Sequence, residues 1–335
     1  MPSEICETTS KYISPYFTGI ATNGYARFVT LGQVSGGSLS AGGNAGLYAV
    51  GDIAGPMSVS ASRYVGVVTW GSAGPAPIVT VSGGEGADAW VFGDVSGTVS
   101  SGSGSASLTA LGSALSTNVT GATDAYFFAA GSALNTTVSA GQHAGAVTLG
   151  DFNGSVTAGS DAWLLSEGSV NASLSANKDG LVYAYGSVTG GFSVGRDIAV
   201  ITYGSLNAGV TAGRDVVYVR AVGNIDGVIS AGHDIGSAWG DTEGLGAVSS
   251  YSAIGSNPSI STTISAGHDI ASVVAVGSIN GSISATDSLH MVRSGDAITA
   301  TISAANTVPI SAFDTLLANL SPPPTPGSSS ASLEC

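Results

Sequence analysis

The chain has 335 residues, 50 of them glycine, and carries 8 Lys or Arg against 22 Asp or Glu, a formal net charge of −14. That balance argues against DNA, RNA or anionic lipid as partners, because such binding is carried by clustered Lys and Arg. At 43% hydrophobic residues and a mean hydropathy of +0.35 it is too apolar for a disordered polar tract, yet it lacks the ~18 uninterrupted apolar residues of a membrane-spanning helix.

Glycine never recurs at every third residue, which excludes collagen. The dominance of Gly, Ser, Thr and Val, all mediocre helix formers, leaves an all-β chain. Cys6 and Cys335 are too few for a disulfide framework or a four-ligand zinc site. The first thirty residues show no basic-then-apolar signal, so export would draw on a longer precursor or another route.

In chain order, residues 1–31 read as an N-terminal cap with Tyr25 to Leu31 as the first strand. Residues 32–308 then fall into lines that open at Gly-Ser, Gly-Asp or Gly-Asn. Gly150 begins GDFNGSVTAGSDAWLLSE, Gly168 begins GSVNASLSANKDGLVYAY, and Gly186 begins GSVTGGFSVGRDIAVITY. Asp161, Asp179, Asp197, Asp215 and Asp234 recur at intervals of 18, 18, 18 and 19, and Asp269 and Asp287 resume the beat after one excursion. Each line holds short alternating segments closed by glycines, which turn the chain at no Cβ cost.

Equal lines suit the stacked coils of a single-stranded parallel β-solenoid, three-sided and right-handed by the crossover rule. About 14 coils at ~4.8 Å each predict a rod on the order of 65 Å. Loop insertions are expected near 71–87 and at 236–254, the latter readable as a loop or as a degraded coil. Residues 309–320 switch to helical spacing, with Ile310, Phe313, Leu316 and Leu317 on one face, and predict a C-terminal helical cap over the last unpaired edge. Residues 321–335 read as a flexible Pro/Ser-rich tail.

The Asp column has two readings. One is a calcium ladder, but the Gly-Asp calcium repeats use a nine-residue beat, and one Asp per ~18 residues supplies half the ligands. The other is structural. Each Asp caps backbone N–H groups at a corner, and the preceding Lys178, Arg196, Arg214, His233 or His268 interleaves with carboxylates that would otherwise repel by roughly 1 kcal/mol. The structural reading is preferred, with no metal or cofactor assigned. His143 falls at the same corner.

The Ser/Thr column of SVTA, SLSA, GVTA and VISA is read as an inward or corner hydroxyl ladder. Ice binding is a lesser alternative, because the column counts mostly one hydroxyl per coil. The runs DAWVF, DAYFF, DAWLL, GLVYAY, DIAVITY and DVVYVRAV are apolar at both parities. Val91, Phe127, Leu164, Val182, Val200 and Tyr218 are expected inside. Trp90, Phe92, Tyr126, Phe128, Trp163, Leu165, Tyr183, Ile201 and Val219 then form an outward stripe, and a sheet apolar on both faces is usually covered.

Catalytic spacing is missing. The acids come one per coil with the few bases beside them, and Asp52, Asp94, Asp151 and Asp296 stand where Ser or Asn stands in other lines. Only Asp226 and Asp241 break the repeat, so a polysaccharide lyase or hydrolase, the rival reading, would be sought near 236–254.

The lines GSVTGGFSVGRDIAVITYGSLNAGVTAGRDVVYVRAVGNIDGVISAGHDI resemble the Gly-rich β-helix repeats of large bacterial surface and exported proteins of the filamentous-haemagglutinin and adhesin type. The resemblance spans residues 32–308 and implies an extracellular or cell-surface structural and adhesive role. It carries over no catalytic residues. The expected partners are the chain itself, another surface protein or a glycan.

Overall fold

The computed structural model describes residues 4–10, 17–73, 79–236, 248–250, 257–307, 310–312, 319–321 and 333–334. It divides into two compact units, Met1–Gly168 and Ser169–Cys335. Both are β-solenoids. No helix occurs among the described residues, and every strand pairing there is parallel.

Within the first unit, one sheet stacks Gly24–Thr30, Ala45–Ala49, Tyr64–Thr69, Gly86–Val91, Ala106–Ala110, Asp124–Ala129, His143–Thr148 and Ala162–Ser166 in consecutive register. We call it the aromatic sheet. A second, the hydroxyl sheet, stacks the alternate strands from Phe17–Ala21 and Gly37–Ala41 to Ala133–Ala140 and Phe152–Ala158. Isolated bridges such as Val34 to Ile53 and Ala73 to Val95 continue the stacking at the corner that leads into the hydroxyl sheet.

The second unit repeats the plan. Its aromatic sheet runs from Gly180–Ala184 through Ile198–Thr202 and Val216–Ala221 to Val292–Ser294, and its hydroxyl sheet runs from Val170–Ala176 to Ile298–Ser303.

The reason for this fold is visible in one strand. Val170–Ala176 alternates buried and exposed without a break, so Val170, Ala172, Leu174 and Ala176 face in. The hydroxyl-sheet strands also need backbone that only glycine accepts. Gly190 adopts φ 122°, and a Cβ there would sit 1.9 Å from the Ala172 carbonyl oxygen of the coil before.

Several expected boundaries move. The 1–31 cap is already coil in its described part, because Glu4–Ser10 pairs with Gly24–Thr30 and Phe17–Ala21 with Gly37–Ala41. Of the insertion near 71–87, residues 74–78 lie outside the described residues, and Val79–Gly83 is an ordinary strand. Segment 236–254 contributes a strand to the stack, since Val248–Ser250 pairs with Val216–Ala221 on one side and Val273–Ala275 on the other.

The expected C-terminal helix gives way to strands at Ile310–Ala312 and Asn319–Ser321, with 313–318 outside the described residues. Within the expected tail, Leu333–Glu334 pairs with Ile310–Ala312. An edge strand with a free hydrogen-bonding row templates another strand, and this outweighs a few residues at helical spacing.

Candidate functional site

The Asp column of the second unit is an inter-coil zipper. Asp179 Oδ1 accepts the Asp197 amide at 3.3 Å, Asp215 Oδ1 the Asp234 amide at 3.1 Å, Asp234 Oδ1 the Asp269 amide at 3.0 Å, and Asp269 Oδ1 the Ser288 amide at 2.9 Å. Each carboxylate thus caps the next coil rather than its own turn.

Arg196, Arg214, His233 and His268 interleave with the carboxylates. Arg196 Nε donates to Asp179 at 2.7 Å, and Arg214 Nε donates to Asp197 at 2.8 Å and faces Asp215 at 3.0 Å. His233 stands between Asp215 and Asp234 at 3.4 and 3.0 Å, and His268 lies within 3.5 Å of Asp234, Asp269 and Asp287. The two imidazoles stack at 4.9 Å. Lys178 contributes its carbonyl, which accepts the Arg196 amide at 2.9 Å, while its side chain is exposed.

The Arg196 hydrogen bond holds the Asp179 carboxyl below the usual range. The hydrogen bond to Asp234 and the charges of Asp269, Asp234 and Asp287 raise His268. Two triplets, His233–Asp234–His268 and His268–Asp269–Asp287, bring donor atoms within 4.8 Å of one another, near enough to share a cation. In the first unit the same corner pairs His143 with Asp161 at 3.2 Å.

A second zipper runs along the coil-opening corner, where Asp, Ser and Asn do the same work. Asp52 and Asp94 accept the Ser72 and Ser113 amides at 2.7 Å, Ser132 Oγ the Asp151 amide at 3.1 Å, and Asn224 the Ser259 amide at 2.9 Å. Asp296 accepts the Ser278 hydroxyl at 2.9 Å. Asp226 is half-buried in Ile225–Ala231, and Asp241 lies outside the described residues.

The Ser/Thr column faces outward on the hydroxyl sheet, contrary to the inward or corner placement expected from sequence. Ser175, Ser193 and Thr211 are exposed, because Leu174, Phe192 and Val210 take the inward parity. Register also adds a second column two residues upstream, with Ser155 donating to Thr137 at 3.5 Å and Ser282 to Thr263 at 3.3 Å.

The aromatic sheet carries the outward stripe. Trp90 and Tyr126 are exposed, and Phe92, Phe128, Trp163, Leu165, Tyr183 and Ile201 are half-buried on the outer face. Val219 departs from expectation: it is 0% exposed. Ile198 pairs with Val216 but Ala199 pairs with Tyr218, so one extra residue flips the parity of this strand. Val217 is exposed instead, and Tyr218, expected inside, lies half-buried with the Arg220 guanidinium 4.9 Å from its ring centre.

A further column lies at the strand ends, taking in Phe92 of the expected stripe together with residues the sequence reading did not single out. Trp70 (53% exposed) stacks on Phe92 at 4.3 Å, and Leu31, Val50, Leu111 and Leu149 continue the row in the first unit. Tyr185 and Tyr203 stack at 4.9 Å in the second unit. Their hydroxyls, Tyr185 first, push the Tyr183 phenol up. Each of these residues stands beside the coil-opening glycine, as in TWGS, TLGD and TYGS.

No known protein family, curated protein or solved structure matches this chain.

Proposed function

We propose that this chain is a non-catalytic structural and adhesive module of a bacterial cell-surface or extracellular protein, of the filamentous-haemagglutinin and adhesin type, whose coils associate laterally through the apolar outer face of the aromatic sheet. The observation that carries the reading is the strand-end column of the first unit. Leu31, Val50, Trp70, Leu111 and Leu149 are all exposed and lie in one column along the stack, with half-buried Phe92 and Ala130 on the coils between them and Trp90 beside them.

A row of this extent is uncommon on a free monomer. A second copy presents the same spacing, because every coil repeats at about 4.8 Å. Backbone ladders and the two zippers supply stiffness and register, and the carboxylates are engaged in capping and ion pairs.

Sedimentation velocity tests this. The wild-type chain associates with rising concentration, and the Trp70→Ser, Trp90→Ser double variant stays monomeric with unchanged circular dichroism. Equal association of the two proteins would overturn the reading.

A further inference from the structure

One outward column of the aromatic sheet runs Arg27, Gly46, Gly66, Asp88, Ser107, Tyr126, Gly145, Trp163 along consecutive coils. Glycine interrupts it in two places, with opposite results. At Gly145 the gap is filled, because the Trp163 indole lies where a Cβ would be, 2.2 Å from that position. At Gly66 a Cβ would meet no atom within 4 Å, whereas the tip of the Tyr25 phenol overhangs Gly46, its hydroxyl 2.9 Å and its ring carbon 3.7 Å from where a Cβ would be. The second gap is therefore an open socket rather than a packing adjustment, with a volume of about 380 Å³.

Its walls are aromatic and its ends are polar. Tyr25 and Tyr64 stand on one side of the glycine floor and Tyr48 on the other, about one strand step (~7 Å) away in each direction. Arg27 closes the column at one end and Asp88 at the other, three coils apart, or roughly 14 Å at about 4.8 Å per coil. One oxygen of Asp88 accepts the Ser107 hydroxyl, which leaves acceptor capacity on the carboxylate. Asn44 lines the Tyr64 side and accepts the Tyr64 amide at 3.3 Å.

We propose that this socket binds a neutral pyranose unit of a glycan. Tyrosine rings offer apolar faces to the C–H face of a sugar. Donors on Arg27 and Asn44 and acceptors on Asp88 match a ring edge of vicinal hydroxyls, and the volume is that of a small-ligand site. A net charge of −14 opposes an acidic saccharide. The socket lies on the same outer face, upstream of the strand-end column, and its Tyr48 wall shares an outward column with Val68 and Trp90.

Calorimetric titration with cellotetraose, laminaritetraose and mannotetraose, and with tetragalacturonate as the acidic comparator, tests this. The protein is held at a concentration where scattering gives a monomer, so the outcome is separate from self-association. A saturable heat with at least one neutral tetrasaccharide is expected. Gly66→Val, which fills the floor, and Asp88→Ala, which leaves it open, each weaken that binding by about tenfold or more. Gly191→Val, at an equally open glycine on the hydroxyl sheet, leaves it unchanged. No heat with any neutral sugar, binding of tetragalacturonate alone, or full binding by both socket variants would overturn the assignment.

Discussion

The corner residues work between coils, and this makes their energetics testable one at a time. His268 has its folded-state pKa raised above the ordinary value of about 6.5. Its contribution to stability is therefore whole below that value and is lost as pH rises through the raised one. The melting temperature should fall as pH rises above about 6.5, and His268→Arg, which copies the Arg196 and Arg214 coils, should remove that part of the fall. A wild-type melt flat above that pH would contradict the zipper. Gly190→Ala should cost about 2 kcal/mol or more in urea denaturation, from positive φ and the clash with the Ala172 carbonyl; an unchanged midpoint would show that the strand relaxes. The Asp and cation positions were legible in the sequence because their spacing is the coil length. Their bonding was not, since a cap on the next coil and a cap on the local turn need the same residue type.

At the scale of the strand, alternation placed most of the stripe correctly, and Val91, Phe127, Leu164, Val182 and Val200 are all buried. It failed at Val219 because a single extra residue in Val216–Ala221 reverses every later side chain. It passed over Trp70, Leu111 and Leu149 because they stand beyond the apolar runs, at the edge of a coil-opening glycine. The glycine socket was equally hidden: Gly46 and Gly66 are 20 residues apart in sequence and adjacent only in register. Of the two outward columns of the hydroxyl sheet, Asn118, Gly191, Gly209 and Val228 break the upstream one, and the other keeps one Ser or Thr per coil. An ice-binding role needs paired hydroxyl columns, so the expected thermal hysteresis is none. A clear hysteresis gap at micromolar protein would instead favour the ice-binding alternative.

For the molecule as a whole, both units obey one rule: apolar inward residues, glycine at the corners, and a cap handed from each coil to the next. The equal line length made the solenoid legible without any other signal, since coils of one length stack in parallel and hairpins need no common length. The ends were misread for a physical reason, because an exposed strand edge recruits further strand, whereas the sequence there lacks the repeat's glycine marks. The 236–254 segment shows the same preference, contributing Val248–Ser250 to the stack despite its irregular length. The most direct test of the account is the assembly state of the purified chain across a concentration series, followed by light scattering and negative-stain imaging with and without a calcium chelator. The account predicts concentration-dependent dimers or fibres that the chelator leaves intact. Strict monomers at every concentration, or assembly that collapses on chelation, would contradict it.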